Sequence, residues 1–176
     1  MITRCLLMAL CIGLFSGCSS LSSQQDSQPI PLDGKLAVLP LVNLSQTPQA
    51  GDQAASILSA ILRSRGASGV TLYLPEDDNP LLYESQARQQ EALDIASADE
   101  AEYLFTGTVE EWRYKNGLDG EPAVGVTLEV RRAGSDGIVW SGTAARSGWG
   151  REGLGVAGRK LLESLVDAMP LTEPGE

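Results

Sequence analysis

Residues 35–43 read Lys-Leu-Ala-Val-Leu-Pro-Leu-Val-Asn, with no polar side chain between Leu36 and Val42. A strand solvated on one face alternates apolar and polar residues, whereas a run apolar on both faces marks a strand covered from above and below. After the turn-rich Ser45-Gln46-Thr47-Pro48, the residues Ala54, Ile57, Leu58, Ile61 and Leu62 recur at helical spacing. Asp52 lies near the start of that helix, and Arg63, Arg65 and Gly66 lie at its end. These charges complement the macrodipole, and the glycine supplies the stop. A covered strand feeding an amphipathic helix is the opening of a layered α/β domain.

Further along the chain, Val70 to Leu74 reads as a short second strand closed by Pro75 and Glu76-Asp77-Asp78. Leu81 to Ala98 has helical composition, but its apolar stripe through Ala87, Leu93 and Ala96 is thin, so this helix should lie loosely. Tyr103 to Trp112 is strand-like, with Phe105 and Val109 on one face and Leu104, Thr106 and Thr108 on the other. Val124, Val126, Leu128 and Val130 alternate with Gly125, Thr127, Glu129 and Arg131, and a turn at 133–137 returns the chain through Ile138 to Ala144. A last helix, Leu154 to Met169, repeats Leu154, Ala157, Leu161, Leu162 and Leu165 and stops at Pro170. The expected fold class is α/β (α+β): one domain over 34–171, a mixed sheet flanked by helices in the order β-α-β-α-β-β-β-α. Residues 172–176 are expected as a disordered tail.

Toward the N-terminus, Arg4 precedes an apolar run from Cys5 to Phe15, too short to span a bilayer comfortably. Residues 1–17 therefore read as a secretory signal. The run ends in Phe15-Ser16-Gly17-Cys18, which resembles the bacterial lipobox, where the cysteine thiol is diacylated and becomes the first mature residue. The other reading is an ordinary cleavable signal with an incidental cysteine. Cys5 and Cys11 lie in the removed segment, so Cys18 would be a lone thiol in an oxidising compartment unless acylated. Ser19 in place of Asp favours the outer membrane, periplasmic side. Residues 18–33, the lipidated cysteine followed by a Ser/Gln-rich stretch with Pro29 and Pro31, read as a flexible tether reaching roughly 50 Å when extended.

With 176 residues there is room for one domain, and a formal net charge of -10 has the wrong sign for gripping nucleic acid. Loss of Arg4 with the signal takes the mature chain to -11. No histidine is present, which removes Ser-His-Asp and Cys-His catalysis and imidazole zinc sites. Glu110 and Glu111 should point to opposite strand faces, so they make no acid–base pair. Glu76-Asp77-Asp78-Asn79 lacks the spaced loop of a calcium site. Lys35 and Lys160 lack a Ser-x-x-Lys context, and Gly153-Leu154-Gly155 lacks the spacing of a nucleotide loop. No catalytic residue, metal site or cofactor is expected.

Two features are left. The first is Arg146-Ser147-Gly148-Trp149-Gly150-Arg151, where a Trp held among glycines and arginines reads as a membrane-interface anchor or as a lid folded onto the core. The second is the acid excess, including Asp77, Asp78, Asp119 and Glu121, which serves solubility or attracts a cationic partner.

The lipobox, the Ser/Gln stretch, the strand KLAVLPLVNLSQ with its helix, and the block FTGTVEEWRYK with two further strands and a final helix resemble the PelC lipoproteins, which share a broader fold with CsgG, the curli secretion lipoprotein, and LpoB, the penicillin-binding-protein activator. The resemblance implies an outer-membrane lipoprotein of Pel exopolysaccharide export, forming a homo-oligomeric ring with the outer-membrane β-barrel exporter and its periplasmic repeat domain. It implies a cationic polymer guided by an electronegative funnel, and Trp149 facing the membrane. The alternatives are an LpoB-like monomeric activator of a cell-wall synthase and a CsgG-like secretion component. Against the latter stands the absence of paired ten-residue alternating segments with aromatic girdles; against the former stands the short tether.

Overall fold

The computed structural model describes residues 19–25, 28–74, 85–116, 120–135 and 137–173. Strand β3 (Leu36–Val38) begins the covered run, and β4 (Val42–Asn43) ends it. The expected continuous strand is thus split at Leu39-Pro40, because proline has no N–H for the ladder. The residues between remain buried. Helix α1 (Ala50–Ser64) carries Asp52 in its first turn and Arg63 in its last. It is closed at Gly66, whose φ of +94° favours glycine; the Gly66 N–H donates to Arg63 O at 3.1 Å and Ala67 N–H to Leu62 O at 3.2 Å.

β5 (Val70–Leu72) is shorter than expected, and α2 is described over Ser85–Ala98, with 81–84 outside the described residues. Ala92 and Ala96 of α2 are buried, but Ala87 is exposed and Arg88 is turned inward instead, its guanidinium 2.7 Å from Asp52 on α1. Three long strands follow, β6 (Tyr103–Tyr114), β7 (Pro122–Arg132) and β8 (Ile138–Ser147), then α3 (Leu154–Asp167).

With β1 (Ser19–Gln25) at one edge, the main sheet runs β1-β8-β7-β6-β3-β5, and β4 also pairs with β6. β3 is parallel to both neighbours, whereas β6, β7 and β8 are antiparallel. Helices α1 and α3 pack on one face around a core that includes Leu36, Leu58, Leu62, Phe105, Trp112, Val126, Trp140, Leu161 and Leu165. On the other face α2 covers only a small patch of Ala37, Leu39, Ala92, Ala96 and Leu104. The domain is therefore the expected α/β sandwich, its second layer thin where the stripe was thin.

The expected flexible stretch contains structure. β1 lies antiparallel on β8, and Ile30–Pro31 forms β2, parallel to β9 (Leu171–Thr172). Ile30 and Leu32 are buried. The Ser/Gln composition hides this because an edge strand needs main-chain partners more than apolar side chains, while two apolar residues around Pro31 are enough to pin the chain to the core. Thr172 accordingly is paired rather than in a tail, its carbonyl accepting from Leu32 N–H at 3.0 Å.

A bulge corrects another expectation. Val109 faces Val126 and Glu111 faces Gly125, so Glu110 is the extra residue. The place a Gly125 Cβ would take lies 3.6 Å from Glu111 Cβ and 3.9 Å from Glu110 Cβ. The two glutamates share the open face instead of alternating.

Candidate functional site

Strand registers define two ends of the sheet. At one end, Tyr114 pairs with Pro122, Gly148 N–H donates to Pro122 O at 2.8 Å, and Ser19 lies opposite Arg146. At the other end Leu36, Tyr103 and Arg132 are in register, and Glu102 N–H donates to Lys35 O at 2.8 Å. A twelve-residue β6 separates the two ends by roughly 40 Å.

The loop from β8 to α3 is built around Glu152, a residue the sequence motif stops one position short of. Its side chain is only 8% exposed, yet it accepts two hydrogen bonds from Arg146 Nη2 at 3.0 and 3.1 Å and lies 2.8 Å from Lys160 Nζ. Trp149 N–H points to the same carboxylate at 3.4 Å, and Glu152 N–H returns a bond to Trp149 O at 2.8 Å. Hydrogen bonding from Lys160, with Arg146 adding both a bond and its charge, holds this carboxyl below its ordinary pKa against the opposing effect of burial. Only glycine fits at 148, where a Cβ would strike the Glu152 carboxylate and Pro122. Arg146, grouped by sequence with Arg151 as an interface cation, is thus a mostly buried partner of Glu152. Arg151 is exposed, and Trp149 is 57% exposed rather than folded as a lid.

Beneath this loop Trp112 is fully buried, with its ring against the α3 backbone at Gly158, where any Cβ would overlap it. Thr47 Oγ1 donates to Trp112 O. Trp140 is equally buried, over Gly142, and donates from Nε1 to Ala168 O at 3.2 Å. Of three tryptophans, only Trp149 meets solvent.

The four acids grouped by sequence do not form one described surface. Asp77, Asp78 and Asp119 lie outside the described residues, as does Cys18. Glu121 stands at the Trp149 end and is 3.9 Å from Lys115 Nζ, so its charge is partly offset. A denser run of acids lies elsewhere in the sequence, and its described part leads through α2 to the opposite end, where Glu102 N–H meets Lys35 O. Residues 75–102 hold nine of the chain's 23 acids and a single base, Arg88. Of these, Glu91 and Asp94 on α2, and Asp99, Glu100 and Glu102 after it, are exposed. Among the described residues, only Glu100 of these five has a basic partner, Lys35 at 3.3 Å. A running charge count would have found this region; attention to turn-like segments alone missed it.

Glu110 and Glu111 share a face, but each is occupied. Glu111 lies 2.7 Å from Arg113 Nη2, and Thr108 Oγ1 donates to Glu110. A groove of about 300 Å³ between α2 and the sheet is lined by Leu39, Gln86, Gln89, Leu93, Thr106 and Glu129 among others. Gln89 Nε2 spans it, donating to Pro40 O at 2.9 Å and Gly107 O at 3.4 Å. Among the described residues no three metal-ligating side chains converge, and no helix is long and apolar enough to cross a membrane.

No protein-family profile and no curated protein sequence matches the chain. Solved structures do. The PelC dodecamer from Paraburkholderia phytofirmans is 32% identical over 88% of this chain and 99% of that one, with a TM-score of 0.73. A leucine-to-methionine variant of that dodecamer matches at 32% identity over 88% and 100% of the two chains, with a TM-score of 0.74.

Proposed function

This chain belongs to the PelC family, and from that premise we propose that it is a non-enzymatic outer-membrane lipoprotein that assembles into a ring and assists export of a cationic exopolysaccharide. Cys18 carries the acyl chains on the periplasmic side. Trp149 and Arg151 meet the membrane interface, and the opposite end of each subunit faces the periplasm. The observation that carries this reading is the separation of the two ends: an exposed Trp at one, and at the other Glu91, Asp94, Asp99 and Glu102 without a basic partner among the described residues.

Repeated around a ring, the acidic ends sum to a negative potential at the mouth of a channel. Such a field raises the local concentration of a polycation without gripping it at any one point. The acidic guide is thus centred on the described acids of α2 and the turn after it, while Glu121, 3.9 Å from Lys115 Nζ, stands apart from them at the Trp149 end. An outer-membrane β-barrel exporter and its periplasmic repeat domain are the partners on either side of the ring.

Light scattering with size exclusion on the chain starting at Ser19 tests assembly: a closed oligomer of twelve, as in the Paraburkholderia protein, is the expected result. If the full lipoprotein, acylated at Cys18 and inserted in a membrane, is also monomeric, the ring is overturned and an activator is favoured.

A further inference from the structure

The register of β1 constrains where the lipid leaves the protein. Ser19 lies opposite Arg146 and Gln25 opposite Trp140. Antiparallel partners are about 4.5–5.5 Å apart at Cα, and Cys18 is one peptide, about 3.8 Å, beyond Ser19. Ser19, the residue that follows the candidate anchor Cys18 in sequence, is therefore held against the Arg146 backbone, beside the Trp149 loop. A free segment of seven residues would instead let the domain stand about 23 Å off the bilayer.

Three large side chains are exposed at this same end: Trp149, Tyr114 and Val156. They sit on one connected framework. Tyr114 Oη accepts from Leu154 N–H at 2.9 Å, at the start of α3, and Tyr114 pairs with Pro122, which holds Gly148 next to Trp149. Val156 lies in the first turn of α3, its N–H donating to Gly153 O at 3.0 Å. A Cβ added at Gly155 would meet nothing within 4 Å, so this turn is open to the outside. Two aromatics with polar tips, an aliphatic side chain and the exposed Arg151 have the chemistry of the bilayer interface, where amphipathic rings and cations sit at headgroup depth.

We propose that β1 is a strap: it zips the acylated N-terminus onto β8 and thereby lays the end bearing Tyr114, Trp149 and Val156 on the bilayer, with Tyr114 and Val156 as interfacial contacts alongside Trp149. This rests on the reading that Cys18 is acylated. The occupant of the patch is the lipid surface, because the chain delivers its own anchor there. Insertion of the acyl chains makes contact of the patch intramolecular, so weak side-chain partitioning acts at high effective concentration.

The test uses the full-length acylated lipoprotein in phosphatidylcholine vesicles with and without brominated acyl chains, read by Trp fluorescence. Trp112 and Trp140 are buried, so quenching reports Trp149, and Trp149→Phe supplies the blank. Strong quenching is expected in the parent. Leu21→Pro/Ser22→Pro occupies adjacent positions, so whichever N–H faces β8 is lost; this variant should still float with vesicles but lose most of the quenching. Tyr114→Ser/Val156→Ser should weaken quenching, and Ile138→Ser at the other end should leave it unchanged. Ser20→Cys/Ala145→Cys, which are opposite each other, should form a disulfide and retain quenching. Unchanged quenching in the proline variant, or no disulfide on oxidation, overturns the strap. Failure of the parent to float overturns the acylation reading instead, whereas a parent that floats unquenched overturns the membrane-facing end.

Discussion

The two ends of the sheet handle charge in opposite ways. Among the described residues at the Trp149 end three acids are matched: Glu152 by Arg146 and Lys160, Glu111 by Arg113, Glu121 by Lys115. At the Tyr103 end Glu91, Asp94, Asp99 and Glu102 have no such partner among the described residues, and the one base of that stretch, Arg88, is turned inward to Asp52. Charges satisfied internally leave a surface whose exposed chemistry is aromatic and aliphatic, suited to lipid. Charges left unmatched project a field into water. Acidic residues occur at both ends, so what separates the two ends is where ion pairs form.

The largest expected effect comes from dismantling the base of the Trp149 end. Trp112→Ala removes a fully buried ring from beneath α3 and should cost about 3–5 kcal/mol. Urea unfolding should show a lower midpoint at unchanged slope. A smaller effect is expected from Glu152→Gln, which leaves Arg146 and Lys160 without their carboxylate. The loop should loosen and Trp149 emission should shift to longer wavelength while far-UV circular dichroism stays the same; an unmoved emission would show that Glu152 does not hold the loop.

Acid probes the same hub. Because Glu152 is held below its ordinary pKa, its contribution to stability is fully present above the unfolded value, about 4.3, and is lost as pH falls through the lower folded value. Trp149 emission should therefore be constant from pH 7 to 5 and change only below about pH 4. Change centred between pH 5 and 6 would contradict the ion-paired geometry.

The smallest effect on stability is expected at the other end. Glu91→Gln/Asp94→Asn/Glu102→Gln changes exposed groups and should alter unfolding free energy by no more than about 0.5 kcal/mol. Secreted polymer should nevertheless fall, since the field and not the fold is lost. Normal export from this variant would remove the α2 end from the guide, and neutralising Glu121 in parallel would compare it with the turn at the Trp149 end.

Much of the fold was legible from periodicity. The run at Leu36, the stripe Ala54 to Leu62, the alternation Val124 to Val130 and the last helix all report local geometry that buries one side of an element. β1 was not legible, because SSLSSQQ carries no pattern of burial and its pairing depends on a β8 edge supplied much later in the chain. Nor was the bulge at Glu110, since alternation assumes an uninterrupted register. At the candidate site the Trp in its glycine loop was visible, but Glu152 looked like one more acid among many.

By itself the sequence determined the class of element along most of the chain, the one-domain size, the acidic balance and the candidate anchor at Cys18, because each follows from residue type and spacing alone. Tertiary structure decided which acids are neutralised, that Arg146 is buried against Glu152, that Trp112 and Trp140 are core while Trp149 is not, and that the N-terminal strand begins beside the Trp149 loop. Those outcomes depend on contacts between residues distant in sequence, and a charge or an aromatic ring acquires its role only from what packs against it.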